Sequence, residues 1–343
     1  MRAITIAITA VALGCACAGE PPNGADAGLS DAEIEGGCPV APVVVDTRAP
    51  IFLFYGVYQP NPGETPRADA ASTLSLLGTG EPVLALRRAA VCAASEPELL
   101  PWQTGGGKIA HVMSEDELLP RLADGSAAAA IAGLLHQGYA YVAIDELHAG
   151  LTPLADGQWG AGAFAALLDD LAAAGLDRRL ILYVNSYNLI GQLHTFGQVL
   201  AACRDHCRIV ASEVYLHTQH VFAPAAESPG HCNRSADCFE RIAAEMGAAA
   251  PGINHRSITV LAISDELSQS RSDSLCERAG GLAGGLYIQY ARLHAGTLTR
   301  LQPGVGAYTP ARVDRRLHPS WGPAEQSDCL RRLDGWSYWP DAH

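Results

Sequence analysis

Lysine is almost absent: Lys108 is the only one in 343 residues, and arginine supplies the remaining basic side chains. Schiff-base chemistry needs a lysine amine, so an aldolase-type reaction would have Lys108 alone to draw on and is disfavoured. Basic residues as a class are outnumbered, 23 Lys and Arg against 36 Asp and Glu, for a formal charge of −13. An acidic chain is a poor partner for nucleic acid and suits a cationic polymer better. No CxxC pair occurs, which argues against structural zinc, although His206 and His231 stand beside cysteines. No GxSxG elbow occurs, which disfavours a serine hydrolase. The first apolar run leads into YGVYQPNPGE, which is not the Gly-rich phosphate turn that an open dinucleotide-binding sheet needs. That run, IFLFYGV, also lacks the HxH pair of metal-dependent barrel hydrolases. His217 and His220 form an HxxH pair, for which surface or sugar contact is the simpler reading. No cofactor is expected.

What is present begins with an export signature. Met1 and Arg2 precede AITIAITAVALGCAC, an apolar run ending in small residues, as in a secretory signal. The run is too short to span a bilayer. ALGC at 12–15 resembles a lipobox with Cys15 as the acylated residue, though Ala12 stands where leucine is usual. A lipoprotein of the bacterial outer membrane or cell surface and a plain secreted protein are both open. Any membrane attachment is expected through the lipid anchor alone. Residues 1–14 read as signal peptide. Residues 15–42, rich in Gly, Pro, Ala and acids, read as acylated N-terminus and flexible tether. Of ten cysteines, eight lie beyond the export region, and an even count in an exported chain reads as disulfides. Cys203 with Cys207 and Cys232 with Cys238 are near enough to close local loops, and Cys38 with Cys329 to tie the ends together.

Beyond the tether, short apolar runs alternate with longer alanine- and leucine-rich stretches. Strands are expected at 51–57, 84–91, 108–113, 139–145, 179–187, 208–215, 257–264 and 284–291. Between them, SEDELLPRLADG opens with a capping box at Ser114 and Glu117. Helices are also expected at 126–138, 162–176, 191–203, 235–250 and 272–281. Strands apolar nearly throughout, alternating with helices, imply a parallel sheet covered on both faces. Eight βα units over about 250 residues fit an α/β fold of one kind, a single (β/α)₈ TIM-type barrel, with disulfide-stabilised loops. The barrel is expected to span 43–295, with 296–343 as a C-terminal tail packed on it, in a monomer.

In such a barrel the chemistry sits at the C-terminal ends of the strands. The first expected strand ends near Tyr55, Tyr58, Gln59 and Asn61. The fourth ends in Asp145 and Glu146, then His148. The fifth leads to Asn185, Tyr187 and Asn188, and the sixth to Glu213, Tyr215, His217 and His220. The seventh ends in Asp265 and Glu266, and the eighth carries Gln289 and Tyr290. Acids for chemistry, amides for hydroxyl groups and aromatic faces for rings suit a sugar polymer. Alternation puts the branched Val142 and Ile144 toward the helices and Asp145, with Tyr141 and Ala143, toward the barrel mouth. It puts Glu213 on one side with Ile209 and Ala211. Asp145 and Glu213 are therefore paired as candidate catalytic carboxylates, one a general acid, the other a nucleophile or activator of water, with Glu146 near the rim. Solvated loop acids or arginine salt bridges are the plainer alternative. Trp321, Trp336 and Trp339 in the tail are expected to pack the terminus.

The IDE at the end of the fourth strand and the glutamate at the end of the sixth resemble the spherulin-4-like glycoside hydrolases, related to the endo-α-1,4-galactosaminidases. The resemblance covers about 75 residues, 139–215. It implies a (β/α)₈ barrel cleaving α-1,4-linked galactosamine or N-acetylgalactosamine polymers, with Asp145 as nucleophile, Glu213 as acid/base and Glu146 assisting. A retaining enzyme places the two carboxyls about 5–5.5 Å apart, an inverting one about 6.5–9.5 Å. A non-catalytic carbohydrate-binding protein on the same scaffold, or a hydrolase of another cell-wall polymer, are the alternatives.

Overall fold

The computed structural model describes residues 43–56, 81–86, 103–104, 106–145, 161–186, 189–214, 237–262, 293 and 296–308. The chain divides into two compact units, 1–37 and 38–343, and all described residues lie in the second.

Eight strands run in chain order: β1 Ile51–Gly56, β2 Glu81–Leu86, β3 Lys108–Ser114, β4 Tyr141–Asp145, β5 Leu180–Val184, β6 Ile209–Val214, β7 Ser257–Ala262 and β8 Gly304–Tyr308. Each pairs in parallel with the next, and β8 pairs with β1, so the sheet closes into a barrel. Among the described residues the helices are α1 Glu115–Asp124, α2 Ala127–His136, α3 Ala161–Ala173, α4 Gly197–His206 and α5 Cys238–Ala249. The expected capping box opens α1. The Ser114 hydroxyl accepts from the Glu117 N–H at 3.3 Å, and Glu117 Oε2 accepts from the Ser114 N–H at 2.7 Å. Ser114 thus ends β3 and caps the helix that follows, leaving no room for a connecting loop.

The period-two pattern sorts side chains into two apolar cores. Ile51, Leu53, Val83, Ala85, Ala110, Val112, Tyr141, Ala143, Ile181, Tyr183, Ile209, Ala211, Ile258 and Val260 fill the barrel. Val142, Ile144, Leu180, Leu182, Val184, Val210 and Val214 face the helices instead. An eight-stranded barrel of shear eight advances about one residue per strand, so alternate strands share layers. Carried through the observed registers, that offset puts Val83, Tyr141, Ile209 and Gly304 in one layer. Ala85, Ala143, Ala211 and Gly306 form the next. The second layer is all small, and Val112, Tyr183 and Val260 from the odd strands fill in around it.

The floor of the barrel is polar and closed by the chain itself. The Tyr141 hydroxyl donates to Glu81 Oε1, and Glu81 Oε2 accepts from the Asp46 N–H at 3.3 Å. Arg208 Nη2 donates to the Ala49 carbonyl at 2.6 Å. Arg179 donates to the Val43 and Ala140 carbonyls, both at 2.9 Å. Val43 and Val45 pack on the barrel core. The segment 43–50 is therefore tied across the N-terminal end of the barrel. Burial first, then the Glu81 carboxylate, push the Tyr141 phenol far above its usual range.

Two expected strands are corrected. The second begins three residues earlier than 84–91 and is Glu81–Leu86, because it starts on Glu81-Pro82, where proline reads as a turn but is tolerated at a strand start. The eighth is Gly304–Tyr308, so the barrel extends past 295 into the segment expected to be tail. Residues 284–291 lie outside the described residues. The helix expected at 191–203 is a 3₁₀ turn, Leu193–Phe196, leading into α4, which runs to His206.

Candidate active site

Asp145 is the last residue of β4 and shares the inner face with Tyr141 and Ala143. Glu213 shares the inner face of β6 with Ile209 and Ala211. The ladder β4–β5–β6 runs Ile144 to Leu182 and Tyr183 to Ala211. The two-residue advance between alternate strands then brings Asp145 and Glu213 into one layer, directly above the alanine and glycine layer. Both carboxyl residues are buried, at 8% and 2% exposure. On a protein surface an acid is rarely so enclosed, which makes the pair the candidate site at this end of the barrel.

Asn185 directly follows β5. Tyr183 is fully buried and stands on the strand between those that carry the two acids. The sequence reading names Asn185 at the strand end and not Tyr183, although alternation along β5 puts Tyr183 on the inner face with Ile181.

Among the described residues, four cationic side chains lie at the other end. Lys108 is the first residue of β3, and Arg179, Arg208 and Arg256 immediately precede β5, β6 and β7. Six residues of strand separate Lys108 from Ser114, about 20 Å. The lone lysine is therefore remote from the rim. Arg179 and Arg208 bond backbone carbonyls at the floor. Among the described residues, Lys108, Arg179, Arg208 and Arg256 stand at the N-terminal floor together with Glu81, and Asp145 and Glu213 at the C-terminal ends of β4 and β6.

Of the other expected site residues, Tyr55 is placed on β1 with its Cα registered to Tyr308 of β8. Glu146, Tyr58, Gln59, His148, Tyr187, Tyr215, His217, Asp265, Gln289 and the acylation candidate Cys15 lie outside the described residues. Among the described residues no cluster of three metal-ligating side chains occurs. His206, beside Cys207, directs Nδ1 to Asp177 at 3.3 Å and Nε2 to Asp169 at 3.4 Å rather than toward the cysteines.

No protein-family model matches the chain, and no curated protein does. Solved structures do. A chitinase from Chromobacterium violaceum ATCC 12472 superimposes with a TM-score of 0.50 at 12% identity, over 82% of this chain and 99% of that one. A GH18 chitinase from Pseudoalteromonas aurantia gives 0.49 at 10% identity, over 79% and 100%. At such identities the likeness is one of fold.

Proposed function

We propose that this protein is a glycoside hydrolase acting on an amino-sugar polysaccharide, with Asp145 and Glu213 as its carboxylate pair. The observation that carries the reading is the shared layer of two buried carboxyls on β4 and β6 at the catalytic end of the barrel. Hydrolysis of a glycosidic bond asks for two such groups facing one sugar. Glu213, the more enclosed, acts as the acid that protonates the leaving oxygen. Asp145 attacks the anomeric carbon, and Glu213 then takes a proton from the water that releases the sugar. This is the retaining course. Glu146 assists from beyond the strand end. The resemblance to the galactosaminidase-related enzymes supports a galactosamine-containing substrate, as does the acidic chain. The wild type is incubated with partly deacetylated α-1,4-galactosamine polymer, chitin and chitosan, beside Glu213→Gln, and reducing ends are counted. Release by the wild type alone fits the reading. Release from none of them removes it in favour of glycan binding without cleavage.

The export signature and the cysteines support a second part of the reading, that the chain works outside the cytoplasm, secreted or lipid-anchored at Cys15, as a monomer. Among the described residues no helix is long and apolar enough to cross a membrane. Extraction of labelled cells with detergent, compared with Cys15→Ser, distinguishes an anchored from a free form.

A further inference from the structure

Where the β5–β6 ladder ends, two buried hydroxyls continue it. The last backbone-paired residues are Val184 and Ser212. Beyond them β6 stays paired with β7 through Glu213 and Val214, but β5 has turned away. Ser212 Oγ donates to Ser186 Oγ at 2.7 Å. The Ser186 hydroxyl donates in turn to the Val184 carbonyl at 3.1 Å, and the Ser186 N–H to the same carbonyl at 2.8 Å. Each proton has one acceptor, so the pair is complete. Ser186 and Ser212 are 0% and 1% exposed, which makes each of these bonds costly to break. Ser212 lies on the outer face of β6, behind the site. Ser186 adjoins Asn185, and Ser212 adjoins Glu213.

We propose that Ser186 and Ser212 are positioning residues that fix the turn at Asn185 beside the Glu213 backbone where the β5–β6 ladder ends. The inference rests on the carboxylate-pair reading. Glu213 has a backbone ladder on its β7 side, and on its β5 side the serine pair continues the ladder beside it. Loss of the Ser212 hydroxyl removes the side-chain bond that ties the β5 turn to β6 at this point, so the turn at Asn185 shifts relative to the acid. A displacement near 1 Å costs up to about a hundredfold in rate without removing any group that touches substrate.

The test compares Ser212→Ala, Ser212→Thr and wild type on the polymer that the wild type cleaves. Ser212→Ala is expected to lower kcat about tenfold or more, with KM within about twofold, and to speed amide exchange at Asn185 and Ser186. Ser212→Thr, which returns a hydroxyl, is expected to restore both. A kcat that falls only with the folded fraction overturns the proposal. So does a threonine variant as slow as alanine at wild-type Tm. If the wild type cleaves nothing, the glycosidase reading fails. The positioning claim is then decided by exchange at 185–186 and by carbon NMR titration of Glu213, assigned with Glu213→Gln. An unchanged Glu213 titration in Ser212→Ala overturns it, and a shifted one supports it.

Discussion

Asp145 and Glu213 are enclosed carboxyls, which on the proposed reading are held for chemistry at a cost to stability. Asp145→Asn and Glu213→Gln are each expected to lower kcat/KM by roughly 10²–10⁴, the usual contribution of a general acid or base. Tm should hold or rise in Asp145→Asn, which removes a buried charge, and stay nearly unchanged in Glu213→Gln, which replaces a neutral acid with an amide of the same shape. A lowered Tm with retained kcat/KM would assign them a structural role instead. Both residues were legible in the sequence because period two is a strand property that needs no neighbours. Their common layer was not, because it depends on the offset between strands. His111 shows another residue-scale effect. It lies on the outer face of β3 with its ring edge-on to Tyr139, centroids 5.2 Å apart, and its buried Nδ1 has no partner among the described residues. Burial, partly opposed by the Glu117 carboxylate, holds its pKa below 6.5. The unfolded chain therefore binds the extra proton first as pH falls, so folding stability is full above about pH 6.5 and declines below it. Thermal melts from pH 7 to 5 should show this decline, and His111→Phe should flatten it.

At the scale of elements, β8 is instructive. GVGAY has two glycines and reads as loop, since glycine is depleted in strands. The barrel requires them. A Cβ on Gly306 would lie 2.8 Å from Val260 Cγ2 and 3.0 Å from the Leu53 carbonyl, and one on Gly304 would collide with the Ile51 carbonyl. Gly306→Ala is expected to destabilise by about 3 kcal/mol or more, measured by urea unfolding. Wild-type stability would mean that β1 and β7 give way readily. The same clash logic explains why the sequence pointed to the more apolar run at 284–291. The C-terminus of α4 carries a second prediction. The Sγ atoms of Cys203 and Cys207 lie 2.6 Å apart, both fully buried, and burial pushes the Cys203 thiol well above its usual range. A native thiol so placed is a poor nucleophile, so any pairing must precede burial. The structure holds both as free thiols rather than the expected disulfide; joining them by exchange with an oxidoreductase disulfide before burial would pass the two thiol protons and the electron pair to that enzyme. Intact mass after alkylation of unfolded, unreduced protein reads the bond directly, and two added alkyl groups on the 203–207 peptide would exclude it.

For the whole molecule the closed floor of the barrel matters most. Glu81, Tyr141 and Arg208 close the floor with segment 43–50, far from the rim. Arg208→Met strips donors from the Asp46 and Ala49 carbonyls and removes the cation beside Tyr141. It is expected to cost roughly 1–3 kcal/mol in urea unfolding, with kcat of the folded protein unchanged. Strict additivity with Tyr141→Phe would show that the two do not communicate. The sequence by itself determined the alternation of parallel strands with helices, the inner face of each long apolar strand and the capping box at Ser114. These follow from local periodicity and from hydrogen bonds between near neighbours. Only the tertiary structure decided that β8 is the glycine-rich GVGAY. It alone decided that Glu81-Pro82 begins a strand, that Tyr183 stands between the two acids and that Ser186 meets Ser212. Each of these depends on what the closed barrel brings against a residue from far along the chain: a carbonyl that leaves no room for a Cβ, a phenol that needs an acceptor, a hydroxyl where a ladder stops.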